Sequence, residues 1–147
     1  MGYAVLDHTA DLGLELEGGS LEDLFGEALR GFTDCLTEVG RVRAGHWREI
    51  ALTAAALDLL LVDWLQEALY LFETEGVVFC RAELRLTGAA GSDAAAGGSP
   101  TLRGRIGGET FDPDRHPLKV PIKAVTYHGL EVGRTAGIWR ARVIFDI

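Results

Sequence analysis

The chain has 147 residues, 48% of them hydrophobic and 24% charged, which is enough to bury a core without a disulfide or metal staple and too apolar for a disordered or fibrous protein. Its 14 basic and 22 acidic residues leave a net charge of −8. That excludes a nucleic-acid binder working through a generally basic surface, though not a protein that acts on another protein.

The opening MGYAVLDHTAD has neither a basic start nor a long apolar core, so no secretory signal is expected. Leu12, Leu14 and Leu16 then alternate with Gly13, Glu15 and Glu17, the period of a half-buried strand. Gly18-Gly19 ends it, and Ser20 opens a helix, with Asp23 three residues on as a near-match to a capping box. From Leu21 to Leu36 the apolar residues recur at helical spacing, while Gly26 and Gly31 are placed off that stripe. A strand is expected over Trp47–Thr53 and a second helix over 56–75. That helix is apolar nearly all round, with Asp63, Gln66 and Glu67 on one narrow polar face. No stretch has the roughly 20 nearly uncharged residues of a membrane span, so a soluble, cytoplasmic protein is expected.

After Gly76 the pattern changes to strands, beginning with Cys80, Ala82, Leu84 and Leu86. The run GAAGSDAAAGGSP at 88–100 is read as a flexible hairpin loop, because strand signals resume at Thr101. Further strands are expected over 102–111, 118–128 and 138–147. Helices set apart from a run of strands make an α+β domain, two helices packed on a mainly antiparallel sheet, with 1–147 as one unit. Cys35 and Cys80 stand far apart on apolar faces and read as reduced core thiols.

Three groups could carry chemistry. His8 lies between Asp7 and Asp11, whose carboxylates could serve as ligands or as acid–base groups. Glu109, Asp112, Arg115 and His116 lead to Lys119 and Lys123, expected on one face of a strand, and then to His128. At the chain end, Asp146 stands beside the terminal carboxylate of Ile147, a pair of oxygen anions that makes half a site for a hard cation. No nucleophile elbow, HExxH or phosphate-binding loop occurs. The chemistry is therefore metal- or carboxylate-based, or happens on a partner.

The pieces HTADLGLELEG, SLEDLF, LLVDWLQEALYLFE, GETFDPDRH, KAVTYHGLEV and the closing ARVIFDI, spread over nearly the whole chain, resemble the archeases, small proteins that activate the RtcB-type tRNA-splicing RNA ligase. The resemblance implies an archease-like fold and a non-catalytic activator. Such a protein promotes guanylylation of the ligase's own histidine, allows multiple turnover and broadens the ligase's nucleotide use. It also implies a divalent-cation site at Asp11, Asp146 and the Ile147 carboxylate, with calcium first and manganese or magnesium as alternatives. The remaining partner surface would draw on His8, Asp112, Arg115, His116, Lys119, Lys123 and His128. Neither strong nucleic-acid binding nor membrane attachment is implied. Two departures stand out: Gln66 where the family commonly has Asn, and Pro121 where an acidic residue is common. Competing readings are a chaperone-like modulator of an RNA methyltransferase and a metal-dependent phosphoesterase built on Asp11 and Asp146.

Overall fold

The alternating leucines of the first half form the strand their spacing predicts, and its inward face sets the architecture. A computed structural model describes residues 2–7, 11–88 and 99–147; His8 and most of the glycine-rich run lie outside them. The elements are β1 (Tyr3–Asp7), β2 (Asp11–Gly18), α1 (Leu21–Leu36), a 3₁₀ turn (Val39–Arg41), β3 (His46–Thr53), α2 (Leu57–Glu75), β4 (Val77–Thr87), β5 (Thr101–Thr110), β6 (Ala124–Thr135) and β7 (Ile138–Asp146). The strands divide into two sheets, ordered β1-β2-β7-β6 and β3-β5-β4, and every pairing is antiparallel. Both helices pack on these sheets, so the α+β architecture stands.

Ser20 caps α1 as its position suggests, its hydroxyl oxygen accepting from the Asp23 amide at 3.1 Å. Gly76 ends α2 in the left-handed conformation, at φ 67°. The helical stripes meet Leu14, Leu16, Leu102, Ile106 and Phe145 in one continuous core. Within it the Trp64 indole donates to the Phe25 carbonyl at 2.9 Å, and Phe32 packs edge-on against Phe145. Each fully buried Leu or Phe side chain contributes about 1.5–3 kcal/mol of transfer free energy. Both cysteines are buried free thiols, and burial pushes the Cys35 thiol up to about 11, which suits a packing role.

One strand was not expected, and two expectations need correction. β1 carries no sequence prediction, being a five-residue edge strand held by pairing with β2. Gly31 lies on the packed face: a Cβ there would come within 2.9 Å of Leu14 Cδ1 and 3.1 Å of Tyr3 Cγ, so its absence lets α1 approach the sheet. Residues 118–123 are not a strand. The amides of Lys119 and Val120 donate to the Leu36 and Cys35 carbonyls, capping the end of α1, and Pro121 has no N–H to give a ladder. Regular pairing starts only at Ala124 and runs on to Thr135.

Candidate functional site

Asp11 is the first residue of β2 and Asp146 the last of β7, and the register sets them directly opposite each other, with Ala124 of β6 opposite Asp146 on the other side. Opposed residues of a ladder share a face, so the two carboxylates share the one turned away from the helices, where Glu15 pairs with Arg142 and Glu17 with Arg140 farther along. Leu12 and Phe145, one step on, point into the core and fix the position of both acids. The Asp146 carbonyl accepts from the Lys123 amide at 2.7 Å, and the Ile147 side chain packs against the core, which anchors the last residue.

Electrostatically this end of the sheet is unfinished. Like charges directly across a ladder are destabilising. Asp11 Oδ1 is buried and has no hydrogen-bond partner among the described residues, a state that ordinarily costs about 1–3 kcal/mol. A buried carboxylate oxygen with no partner among the described residues, across the ladder from a second carboxylate, is a donor set suited to a hard cation, which takes oxygen ligands. Among the described residues no three His, Cys, Asp or Glu side chains gather as a metal site.

Beside the carboxylates, β6 leaves its partner. Thr126 pairs with Ile144, but the next pair is Glu131 with Arg142, so residues 127–130 form a bulge, with Leu130 packed against the core and 127–129 exposed. Gly129 supplies the turn at φ 65°. The Thr126 hydroxyl holds the base of the bulge, donating to the Ile144 carbonyl at 3.0 Å and accepting from the His128 amide at 3.3 Å. Tyr127 is thereby 57% exposed and His128 is exposed with it. Sequence reasoning placed Tyr127 in the same group as His128 but gave only His128 a role; a glycine inside a strand pattern was the signal for a bulge.

The other sequence-predicted residues do different work. His116 is fully buried and so offers no surface to a partner, contrary to expectation. Its Nδ1 accepts from the Asp112 amide at 2.9 Å, which makes Nε2 the protonated nitrogen, 3.0 Å from Glu109 Oε2, and its ring stacks on Phe111. Arg115 is half-buried and its guanidinium donates to Glu109, while the exposed Asp112 carboxylate accepts the Asp114 amide. Lys119 and Lys123 do not share a strand face. Lys119 Nζ lies 3.7 Å from Asp34, which also accepts from the Tyr3 hydroxyl at 2.8 Å, while Lys123 is exposed at the mouth of β6. None of the side-chain bonds around Glu109 reaches Asp11 or Asp146.

Burial works to raise the Glu109 carboxyl, but the Arg43 amide, His116 and Arg115 outweigh it and hold it below the ordinary 4.5. A depressed carboxyl contributes stability that is present above that ordinary value and lost as pH falls through the folded one. Glu109→Gln is therefore expected to lower the unfolding temperature near neutral pH and to flatten its fall in acid. Thermal unfolding across a pH series measures this, and parallel acid limbs in the two proteins would assign the loss elsewhere.

Comparison with known proteins follows the same lines. Residues 3–147 match the model of the Archease protein family (MTH1598/TM1083). The chain is 37% identical over 145 residues to the protein archease of Methanosarcina mazei, covering 99% of this chain and 95% of that one. Its fold is similar to the solution structure of Methanobacterium thermoautotrophicum protein 1598, with a TM-score of 0.78 and 29% identity over 99% of both chains. It also resembles the crystal structure of an archease, possible chaperone, from Thermotoga maritima, with a TM-score of 0.64 and 21% identity over 97% of this chain and 94% of that one.

Proposed function

Because this chain belongs to the archease family, we propose that it is a non-catalytic cofactor of an RtcB-type tRNA-splicing RNA ligase, promoting guanylylation of the ligase and so its multiple turnover. The observation that supports the reading is the Asp11–Asp146 pair, with a buried oxygen that has no partner among the described residues at the end of a sheet. In this reading Asp11, Asp146 and the α-carboxylate of Ile147 would hold a divalent cation, calcium foremost, with manganese or magnesium as alternatives. When bound, the ion supplies positive charge for a partner's oxygen ligands or phosphates.

The chain's own part is positional. The core beneath Leu12, Phe145 and Ile147 holds the acids, the Lys123 amide fixes the Asp146 backbone, and the bulge presents Tyr127 and His128 beside them. Broadened nucleotide use by the ligase belongs to the same proposal, as does a cytoplasmic location. No helix among the described residues is long and apolar enough to cross a membrane. Action on another protein agrees with the description of the Thermotoga maritima relative as a possible chaperone.

The direct test is RNA ligation by the cognate ligase, present well below its substrate, with and without this protein. Stimulated multiple turnover supports the reading, and unchanged turnover refutes it. A second expectation isolates the chain end. Appending a few residues after Ile147 exchanges a charged carboxylate for an amide carbonyl, and affinity at oxygen sites follows ligand charge. Calcium binding by calorimetry and ligase stimulation should both fall sharply, while the unfolding temperature stays near that of the native end. An extended protein that binds and stimulates normally removes Ile147 from the site.

A further inference from the structure

The bulge beside the carboxylates is held from two sides, and one of those holds comes from a helix. β6 is an edge strand, with β7 as its strand neighbour among the described residues. After Thr126 it leaves the ladder until Glu131, so this stretch of edge has no strand pairing to fix it. Within the sheet the Thr126 hydroxyl donates to the Ile144 carbonyl at 3.0 Å. From outside the sheet α2 packs on the strand, and the Gln66 side-chain amide donates to the Val125 carbonyl at 3.1 Å. A carbonyl only accepts, so the nitrogen end of the Gln66 amide faces it. The Val125 side chain is buried, and beyond the bulge Leu130 packs against the core. Both ends are therefore fixed, while Tyr127, His128 and Gly129 between them stay exposed.

We infer that Gln66 is a positioning residue for the partner surface. Through the Val125 carbonyl it sets where the bulge presents Tyr127 and His128 relative to Asp11 and Asp146. This rests on the ligase reading, and it adds a residue whose own hydrogen bond goes to neither acid. Val125 lies one residue past Ala124, which stands opposite Asp146, and two before Tyr127. A bond at that peptide fixes the direction in which the chain leaves the ladder. Gln66 is itself exposed, so the bond adds little to overall stability. An exposed tyrosine, by contrast, gains affinity for a partner from being held in place before the encounter. Without Gln66 the bulge must be ordered each time the ligase docks. The cost then falls on docking, and neither cation binding nor the step after docking is touched.

The test is multiple-turnover ligation by the cognate ligase, titrated with native protein, Gln66→Leu and Glu73→Gln. Gln66→Leu keeps a side chain of similar size and cannot donate. Its half-saturating concentration is expected to rise about two- to tenfold, the range that one net hydrogen bond spans. Maximal stimulation, calcium affinity by calorimetry and unfolding temperature should stay near the native values. The His128 amide, which donates to the Thr126 hydroxyl, should exchange its hydrogen faster in this variant. Glu73→Gln, two turns along the exposed side of α2, should change none of these. Normal stimulation by the native protein with an unchanged half-saturating concentration for Gln66→Leu overturns this inference alone. So does unchanged exchange at His128. A large fall in unfolding temperature or in calcium affinity would make Gln66 structural and overturn it as well. A native protein that does not stimulate ligation refutes the ligase reading and the role of Gln66 with it.

Discussion

Asp11→Ala is expected to abolish stimulation of the ligase without destabilising the protein. The substitution removes one of two carboxylates that face each other across the ladder, together with a buried oxygen that has no partner among the described residues. Both are unfavourable in the absence of a cation. The unfolding temperature without added metal should therefore hold or rise by the equivalent of ~1 kcal/mol, since nothing in the core is disturbed. Added calcium should raise the unfolding temperature of the native protein, because a ligand that binds only the folded state stabilises it, and should do nothing for the variant. Asp146→Asn should show the same pattern in weaker form, its side chain being exposed. Stability and activation are then expected to move independently. Full stimulation of multiple-turnover ligation by Asp11→Ala would remove the residue from the site, and a large fall in unfolding temperature would make its role structural.

Trp64→Ala is expected to produce the largest loss of stability in the molecule. Trp64 is 1% exposed at the centre of α2, and its indole nitrogen donates to the Phe25 carbonyl of α1 at 2.9 Å. Truncating a buried Trp to Ala costs about 3–5 kcal/mol through lost transfer energy and an unfilled cavity. Domains of this size are stable by only about 5–15 kcal/mol in total, so a large share of the margin would disappear. Trp64→Phe keeps most of the volume and loses the hydrogen bond, so its cost should be a fraction of that. Urea unfolding at equilibrium measures both; a midpoint shift for Trp64→Ala no larger than for Trp64→Phe would show that the core closes over the gap.

Residues 11–18, 21–36 and 57–75 needed no tertiary information. Hydrophobic period is a local property, and Leu12 to Leu16, the α1 stripe and the Ser20 cap each follow from neighbours within a few positions. The carboxylates of the proposed cation site were also legible, because Asp11 begins an alternating segment and Asp146 ends one. What failed was anything set by contacts distant in the chain. The period-2 reading of 118–128 could not know that α1 would claim the amides of Lys119 and Val120, which turned two lysines of one expected face into unrelated residues. His116 read as surface because its polar partners, Glu109 and the Asp112 amide, satisfy it only once the loop has folded over Phe111.

By itself, then, the sequence determined both helices, the strands β2 to β5 and β7, the side on which each carries its large apolar residues, and which acids stand at strand ends, since side-chain chemistry and backbone period act over a few residues. Only the tertiary structure decided what faces what. Asp11 meets Asp146 through a register spanning the length of the chain, and Arg85 meets Arg103 across a hairpin whose pairing fixes their side. A β-ladder brings distant residues within about 5 Å and sets them on one face by their register, which composition and local period do not encode.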